Sequence, residues 1–160
     1  MKVLGIDPGF DRLGIAVVEG DPSKPRLVWS TCVEPEKGDA HARLARVHAE
    51  ITHAIERFIP DIVALETLFF STNKKTALRV AEARGAILAA IGAHGARVAE
   101  YSPAAVKIAV TGDGRADKAA IARMVPKLVA LAPGKHRDDE LDAIAVAVCG
   151  LANGKIPNCS

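Results

Sequence analysis

Four carboxylates are placed so that the folded chain could gather them at one point. Asp7 ends the first apolar run, Glu66 ends a later one, and Asp139 and Asp142 stand near the start of a C-terminal helix. Carboxylates crowded together raise one another's proton affinity unless an oxygen-preferring cation neutralises them, so this set points to Mg2+ or Mn2+. The chemistry that follows is metal-assisted phosphodiester cleavage. Asp7 lies in Gly5-Ile6-Asp7-Pro8-Gly9, where an aspartate can equally support a turn. Glu66 closes Ile62-Val63-Ala64-Leu65-Glu66, an acid at the carboxyl end of a strand, where α/β sheets collect their ligand sites. Asp139 and Asp142 are three residues apart and share a helix face. Acids at 138–140 would complement the helix dipole, but Asp142 leads directly into the apolar run Ala143 to Val148 and fits a functional role better.

The elements that must position these acids are readable from the apolar pattern. Val3 to Ile6 and Gly14 to Val18 flank the turn-rich Pro8 to Arg12 and predict a hairpin; Arg26 to Val33 adds a third antiparallel strand. Leu44, Val47, Ile51, Ile55 and Phe58 recur at helical spacing from an Asp39 N-cap to Pro60. A strand over Asp61 to Glu66, a helix from about Thr72 to His94 and a strand over Ala96 to Tyr101 imply parallel crossovers. After Pro103 come a short helix to about Val110, a loop over 111–115, a helix from Ala116 interrupted at Pro126, and a last helix from Arg137 to Leu151. The expected architecture is α/β: a five-stranded mixed sheet with helices on both faces.

Composition narrows the class. A chain of 160 residues, 49% hydrophobic and 25% charged, fits one domain, here 1–152, with 153–160 as a polar tail. The amino terminus has no signal-like apolar stretch and no segment is long enough to span a bilayer, so the expected location is the cytoplasm. Cys32, Cys149 and Cys159 are odd in number and lack a Cys-x-x-Cys pair, which argues against a disulfide framework or a structural zinc. The net charge of +2 leaves the partner open.

The order and content of the motifs resemble the RuvC family of Holliday-junction resolvases, which have a ribonuclease H-like fold. The resemblance is carried by Gly5-Ile6-Asp7-Pro8-Gly9, Ala64-Leu65-Glu66, Ala83-Arg84-Gly85, Glu100-Tyr101-Ser102-Pro103 with Val106-Lys107, Gly112-x-Gly114 with Ala116-x-Lys118, and Asp139-x-x-Asp142-Ala143. It spans nearly the whole chain. It implies that Asp7, Glu66, Asp139 and Asp142 are catalytic and bind Mg2+, with Mn2+ able to substitute, two ions per active site. It also implies four-way junction DNA as substrate, a homodimer that nicks two strands symmetrically, products with 5′-phosphate and 3′-hydroxyl ends, and a RuvA–RuvB branch-migration partner in recombination and DNA repair. Phe10, Ala120 and Glu140-Leu141 depart from the residues usual in the family at those positions. His136, three residues before Asp139, could donate to the acids from behind or be a loop residue, and reads as the latter; whether His136 or Asp138 shares the role of Asp139 stays open.

Substrate contacts form a second layer. Of Phe69 and Phe70, one reads as core and the other as a stacking residue; the resemblance favours Phe69. Lys74, Lys75 and Arg79, and Lys107, Arg115 and Lys118, are candidate phosphate contacts; Lys107 and Lys118 match basic rim positions of the family, while ordinary solvated charge is the default for the others. Ala81, Gly85 and Ala89 recur every four residues on a helix apolar on more than one side, which suits either a twofold interface or burial within the chain. Two other readings compete. An ATP-dependent phosphotransferase of the actin and sugar-kinase type would need a second phosphate hairpin and a second lobe. A non-catalytic junction-binding protein would be expected to lack part of the acid set, which is complete here.

Overall fold

A computed structural model describes residues 1–67 and 74–154, with residues 74–76 as backbone only. The elements run β1 (Lys2–Asp7), β2 (Leu13–Asp21), β3 (Lys24–Val33), α1 (Ala40–Phe58), β4 (Ile62–Glu66), α2 (Lys74–Ala93), β5 (Val98–Tyr101), α3 (Pro103–Thr111), α4 (Lys118–Leu128) and α5 (Asp138–Asn153). The strands form one sheet in the order β3-β2-β1-β4-β5. β1, β2 and β3 pair antiparallel, while β4 joins β1 and β5 joins β4 in parallel. This is the mixed sheet expected, and helices cover both faces of it.

Strand alternation sorts side chains between two cores. Leu4, Ile6, Leu13, Ile15, Val17, Val63 and Leu65 face α1 and α2, where Val47, Ile51, Ile87 and Ile91 meet them. Val3, Ala16, Val18 and Ala64 face α5, whose own contribution includes Ala143, Ala145 and Ala147. The second face is made of smaller residues, and two glycines bring α5 closer still. A Cβ on Gly5 would lie 2.4 Å from both the Ala143 carbonyl oxygen and the Ala147 nitrogen. One on Gly14 would lie 1.9 Å from the Asp139 carbonyl oxygen, so α5 rests directly on β1 and β2.

Several helix ends differ from the sequence expectation. Asp39 is the N-cap of α1, but its side chain makes no capping hydrogen bond. α4 starts at Lys118 and not at Ala116, because the Asp117 side chain accepts from the Ala120 nitrogen at 2.7 Å. Nor does Pro126 interrupt it; the helix runs on to Leu128, since a proline so near the carboxyl end removes little of the remaining hydrogen-bond ladder. α5 extends to Asn153, whose side chain donates to the Cys149 carbonyl at 2.9 Å. Cys149 is buried and Cys32 half-buried, both as free thiols, while Cys159 lies outside the described residues. Among the described residues, no helix is long and apolar enough to cross a membrane.

Candidate active site

β1 and β4 pair in parallel as far as Ile6 and Leu65, so Asp7 and Glu66 are the next residues on adjacent strands. Both share the parity of Gly5 and Ala64 and therefore point to the α5 side. α5, seated on Gly5 and Gly14, presents Asp139 and Asp142 to the same rim. The four acids are near enough to act on one another electrically. Burial pushes the Asp7 carboxyl up to about 7, and the charges of Asp142, Glu66 and Asp139 add to that rise. Glu66 is also raised, by burial and then by Asp142, against the opposing pull of Lys118 and Lys107.

Two cations already face this rim. Lys118 Nζ donates to Asp142 Oδ2 at 2.9 Å, and the Asp142 carboxylate holds the lysine pKa above its ordinary value. Arg12 Nη1 donates to Asp139 Oδ2 at 3.3 Å. Lys107 joins Lys118 in lining a groove with Glu66 and Asp142. Among the described residues, no three His, Cys, Asp or Glu side chains form a ready-made cation cage. The donor set still suits a hard divalent ion. It is all carboxylate, and one member is driven towards protonation by burial and then by the charges of its neighbours, both of which a cation would offset.

Support comes from side chains whose role local sequence did not reveal. Arg84 donates through Nη1 to the Glu66 carbonyl at 3.0 Å and pairs through Nη2 with Glu100 at 2.8 Å, fixing the end of β4 against β5. The motif around Arg84 was visible in sequence, but not this task. Arg12 was not singled out at all. His136 does lie in the loop before α5, yet it is no idle loop residue: Nε2 stands 2.9 Å from the Ala132 carbonyl and Nδ1 3.2 Å from Glu140 Oε1. It faces Glu140 and not Asp139. Asp138 is exposed beside Lys118.

The remaining candidates are placed unequally. Arg115 is exposed in the α3–α4 loop, and Arg79 stands over the Phe10 ring at 5.3 Å instead of at the acid rim. Phe69 and Phe70, and the side chains of Lys74 and Lys75, lie outside the described residues. On α2, Ala81, Gly85 and Ala89 are exposed, whereas Ala83, Ile87, Ala90 and Ile91 form the buried side. Burial of that small-residue stripe within the chain is therefore excluded.

The family model for crossover junction endodeoxyribonuclease RuvC matches residues 3–150. A crossover junction endodeoxyribonuclease RuvC of Moorella thermoacetica is 46% identical over 150 residues, 93% of this chain and 90% of that protein. Its counterpart in Thermomicrobium roseum is 44% identical over 149 residues, covering 93% and 91%. Among solved structures, T. thermophilus RuvC in complex with a Holliday junction substrate superposes with a TM-score of 0.86 at 36% identity, covering 93% of this chain and 92% of that one. The fold is thus ribonuclease H-like. The likeness spans nearly the whole chain in sequence and in fold, and the chain belongs to the RuvC family of crossover junction endodeoxyribonucleases.

Proposed function

We propose that this protein is a Holliday-junction resolvase, a divalent-metal-dependent endonuclease that nicks two strands of a four-way junction symmetrically. The observation that carries the reading is the meeting of Asp7 and Glu66, from adjacent strand ends, with Asp139 and Asp142 on a helix seated against those strands. These four residues would hold Mg2+ or Mn2+, two ions per active site. Such ions, when bound, activate water and stabilise the leaving 3′ oxygen. The carboxylates supply the negative charge that concentrates the cations, and the sheet and α5 keep them in place without reorganisation. Lys107 and Lys118 offset the repulsion that a phosphodiester meets at an acidic rim. Water is the nucleophile, so no Ser or Cys need take part; with the 3′ oxygen as leaving group, the P–O3′ bond breaks and products carry 5′-phosphate and 3′-hydroxyl ends.

Phe69 stacks on an unpaired base in this reading, and Lys74, Lys75, Arg79 and Arg115 contact phosphates along the arms. Residues 1–152 form the nuclease domain and 153–160 a tail. The exposed Ala81, Gly85 and Ala89 stripe on α2 is the surface through which two copies pair, matching the twofold symmetry of the junction. A RuvA–RuvB assembly would deliver the junction. The test is cleavage of a synthetic mobile four-way junction beside linear duplex in Mg2+, with wild type and Asp7→Asn, and junction binding followed by gel shift. Paired symmetric nicks by wild type, reduced about a thousandfold or more in a variant that still binds, are the expected result. Wild type that binds the junction but cuts in neither Mg2+ nor Mn2+ would leave a non-catalytic junction binder as the better account.

A further inference from the structure

We infer that Glu140, which is not one of the four acids assigned to the metals, is a positioning residue for the two that are on α5, and acts through a brace to Ser30 and His136. The inference rests on the reading of Asp139 and Asp142 as metal ligands.

The start of α5 lacks an ordinary cap. Arg137 occupies the N-cap position, and its side chain makes no capping hydrogen bond. A glutamate three residues into a helix can reach back to the N-cap backbone N–H. Glu140 occupies that place but turns elsewhere. Its Oε1 accepts from Ser30 Oγ on β3 at 2.6 Å and faces His136 Nδ1 at 3.2 Å. The Ala132 carbonyl, 2.9 Å from His136 Nε2, can only accept, so Nε2 carries a hydrogen. A carboxylate at Nδ1 asks for a hydrogen there too. The three contacts are therefore satisfied together by an imidazolium, which holds the loop before α5 to the glutamate as the serine holds β3 to it. The side chains of His136 and Glu140 are only 17% and 12% exposed, so water screens this pair less than a surface ion pair.

What the brace controls is rotation. Successive residues of an α-helix are turned by about 100°, so fixing the direction of Glu140 fixes those of Asp139 and Asp142 on either side of it. Contact between Gly14 and the Asp139 carbonyl sets how close the helix start comes to the sheet, and the buried run Ala143 to Leu151 fixes the roll of the helix body. Ser30, on the next strand, ties the less buried first turn to the same frame. Carboxylates that must converge on a cation lose affinity when the groups orienting them are removed, by about 10–100-fold for outer-shell partners.

The experiment is Mn2+ titration calorimetry on the full chain, with melting curves in EDTA and single-turnover junction cleavage as a function of Mn2+. The variants are Glu140→Ala, Glu140→Gln, Ser30→Ala and, as a control of the ligand assignment, Asp142→Asn. Glu140→Ala should bind Mn2+ about tenfold or more weakly and shift the Mn2+ half-saturation of cleavage by the same factor, with the rate at saturating Mn2+ within about threefold of wild type. Glu140→Gln, whose amide oxygen still accepts from Ser30, should recover most of the loss. Unchanged Mn2+ affinity in Glu140→Ala, or equal loss in Glu140→Gln, would overturn the inference. If Glu140→Ala does not fold, Ser30→Ala decides: weaker Mn2+ binding with an unchanged melting curve supports the brace, and wild-type affinity overturns it. Failure of the underlying assignment would look different, because wild type would bind no Mn2+ or Asp142→Asn would bind it as tightly.

Discussion

The two faces of the sheet differ in the size of the residues they carry, and the difference separates stability from chemistry. On the α1 and α2 side, Leu4, Ile6, Leu13, Ile15 and Leu65 hold the helices off at the distance that large side chains need. On the α5 side, Gly5, Gly14, Ala16 and Ala64 let backbone meet backbone. A helix held at arm's length could not bring two carboxylates to acids that end the strands beneath it. Close packing on one face is thus a requirement of the site, and bulky packing on the other supplies the hydrophobic burial that keeps the sheet folded.

Substitutions that exchange the characters of the two faces test this most directly. Gly14→Ala places a methyl group 1.9 Å from the Asp139 carbonyl oxygen, so the first turn of α5 must shift. Misplacement of about 1 Å can lower a rate by about a hundredfold, and single-turnover junction cleavage should fall by at least that much. Leu65→Ala removes a fully buried side chain one residue from Glu66 but on the opposite face. It should lower unfolding free energy by about 2–5 kcal/mol, read by denaturant titration, while the folded fraction cleaves within a few-fold of wild type. Normal cleavage by Gly14→Ala, or a large rate loss in Leu65→Ala without destabilisation, would break the comparison.

The faces should also differ in how they answer pH. Among the described residues, the core on the α1 and α2 side holds no titratable side chain, whereas the α5 side carries the Cys149 thiol, pushed by burial up to about 11 and so neutral throughout, and at its rim Asp7 with its carboxyl raised from 3.8 to about 7. Between those values the folded protein keeps a proton that the unfolded chain releases, so stability is highest below about pH 4 on this account and falls as pH rises towards 7. The loss is at most about 4 kcal/mol, at roughly 1.4 kcal/mol for each pKa unit. Melting temperatures in EDTA should therefore decline across that window in wild type and much less in Asp7→Asn. Mn2+ added at pH 8 should restore the wild type, since it favours the ionised carboxylate. A wild-type profile as flat as that of Asp7→Asn would show that burial and the neighbouring acids do not hold the proton on Asp7 in this way.

Much of this was legible because it is local. The three-strand meander, the helical repeat of Val47, Ile51 and Ile55, and the acids at the ends of β1 and β4 all follow from apolar runs and the residues that stop them. The size alternation was present in the letters as well, in Val3-Leu4-Gly5-Ile6 and Gly14-Ile15-Ala16-Val17, where small and large residues take opposite faces. Its consequence depends on which helix covers which face, and that is a long-range fact. The same holds for Arg12 on Asp139, 127 residues apart, and for Ser30 on Glu140, 110 residues apart. Nothing near Arg12 or Ser30 in sequence marks them, because their partners arrive only when α5 closes over β2 and β3. Pro126 misled for the opposite reason: a local rule about helix breaking carries little weight where the helix is about to end.

Phe10 is where the two regions touch, and it offers the smallest and most discriminating test. It follows the Asp7-Pro8-Gly9 turn and is buried. Arg43 of α1 lies over its ring at 4.4 Å and Arg79 of α2 at 5.3 Å. Arg43 also donates to the Phe10 carbonyl at 3.1 Å and to Asp11 at 2.8 Å, tying the turn to the helices behind the sheet. Phe10→Ser removes the stacking of two cations, each about 0.5–2 kcal/mol, together with the burial of the ring. Asp7, however, is held by its own pairing to Gly14 and not by the ring. The expected result is a loss of about 3–5 kcal/mol in unfolding free energy with cleavage within about threefold of wild type. A tenfold loss of cleavage at unchanged stability would mean that the bulky face reaches the chemistry through this residue, and the division between the two faces would have to be redrawn at the β1–β2 turn.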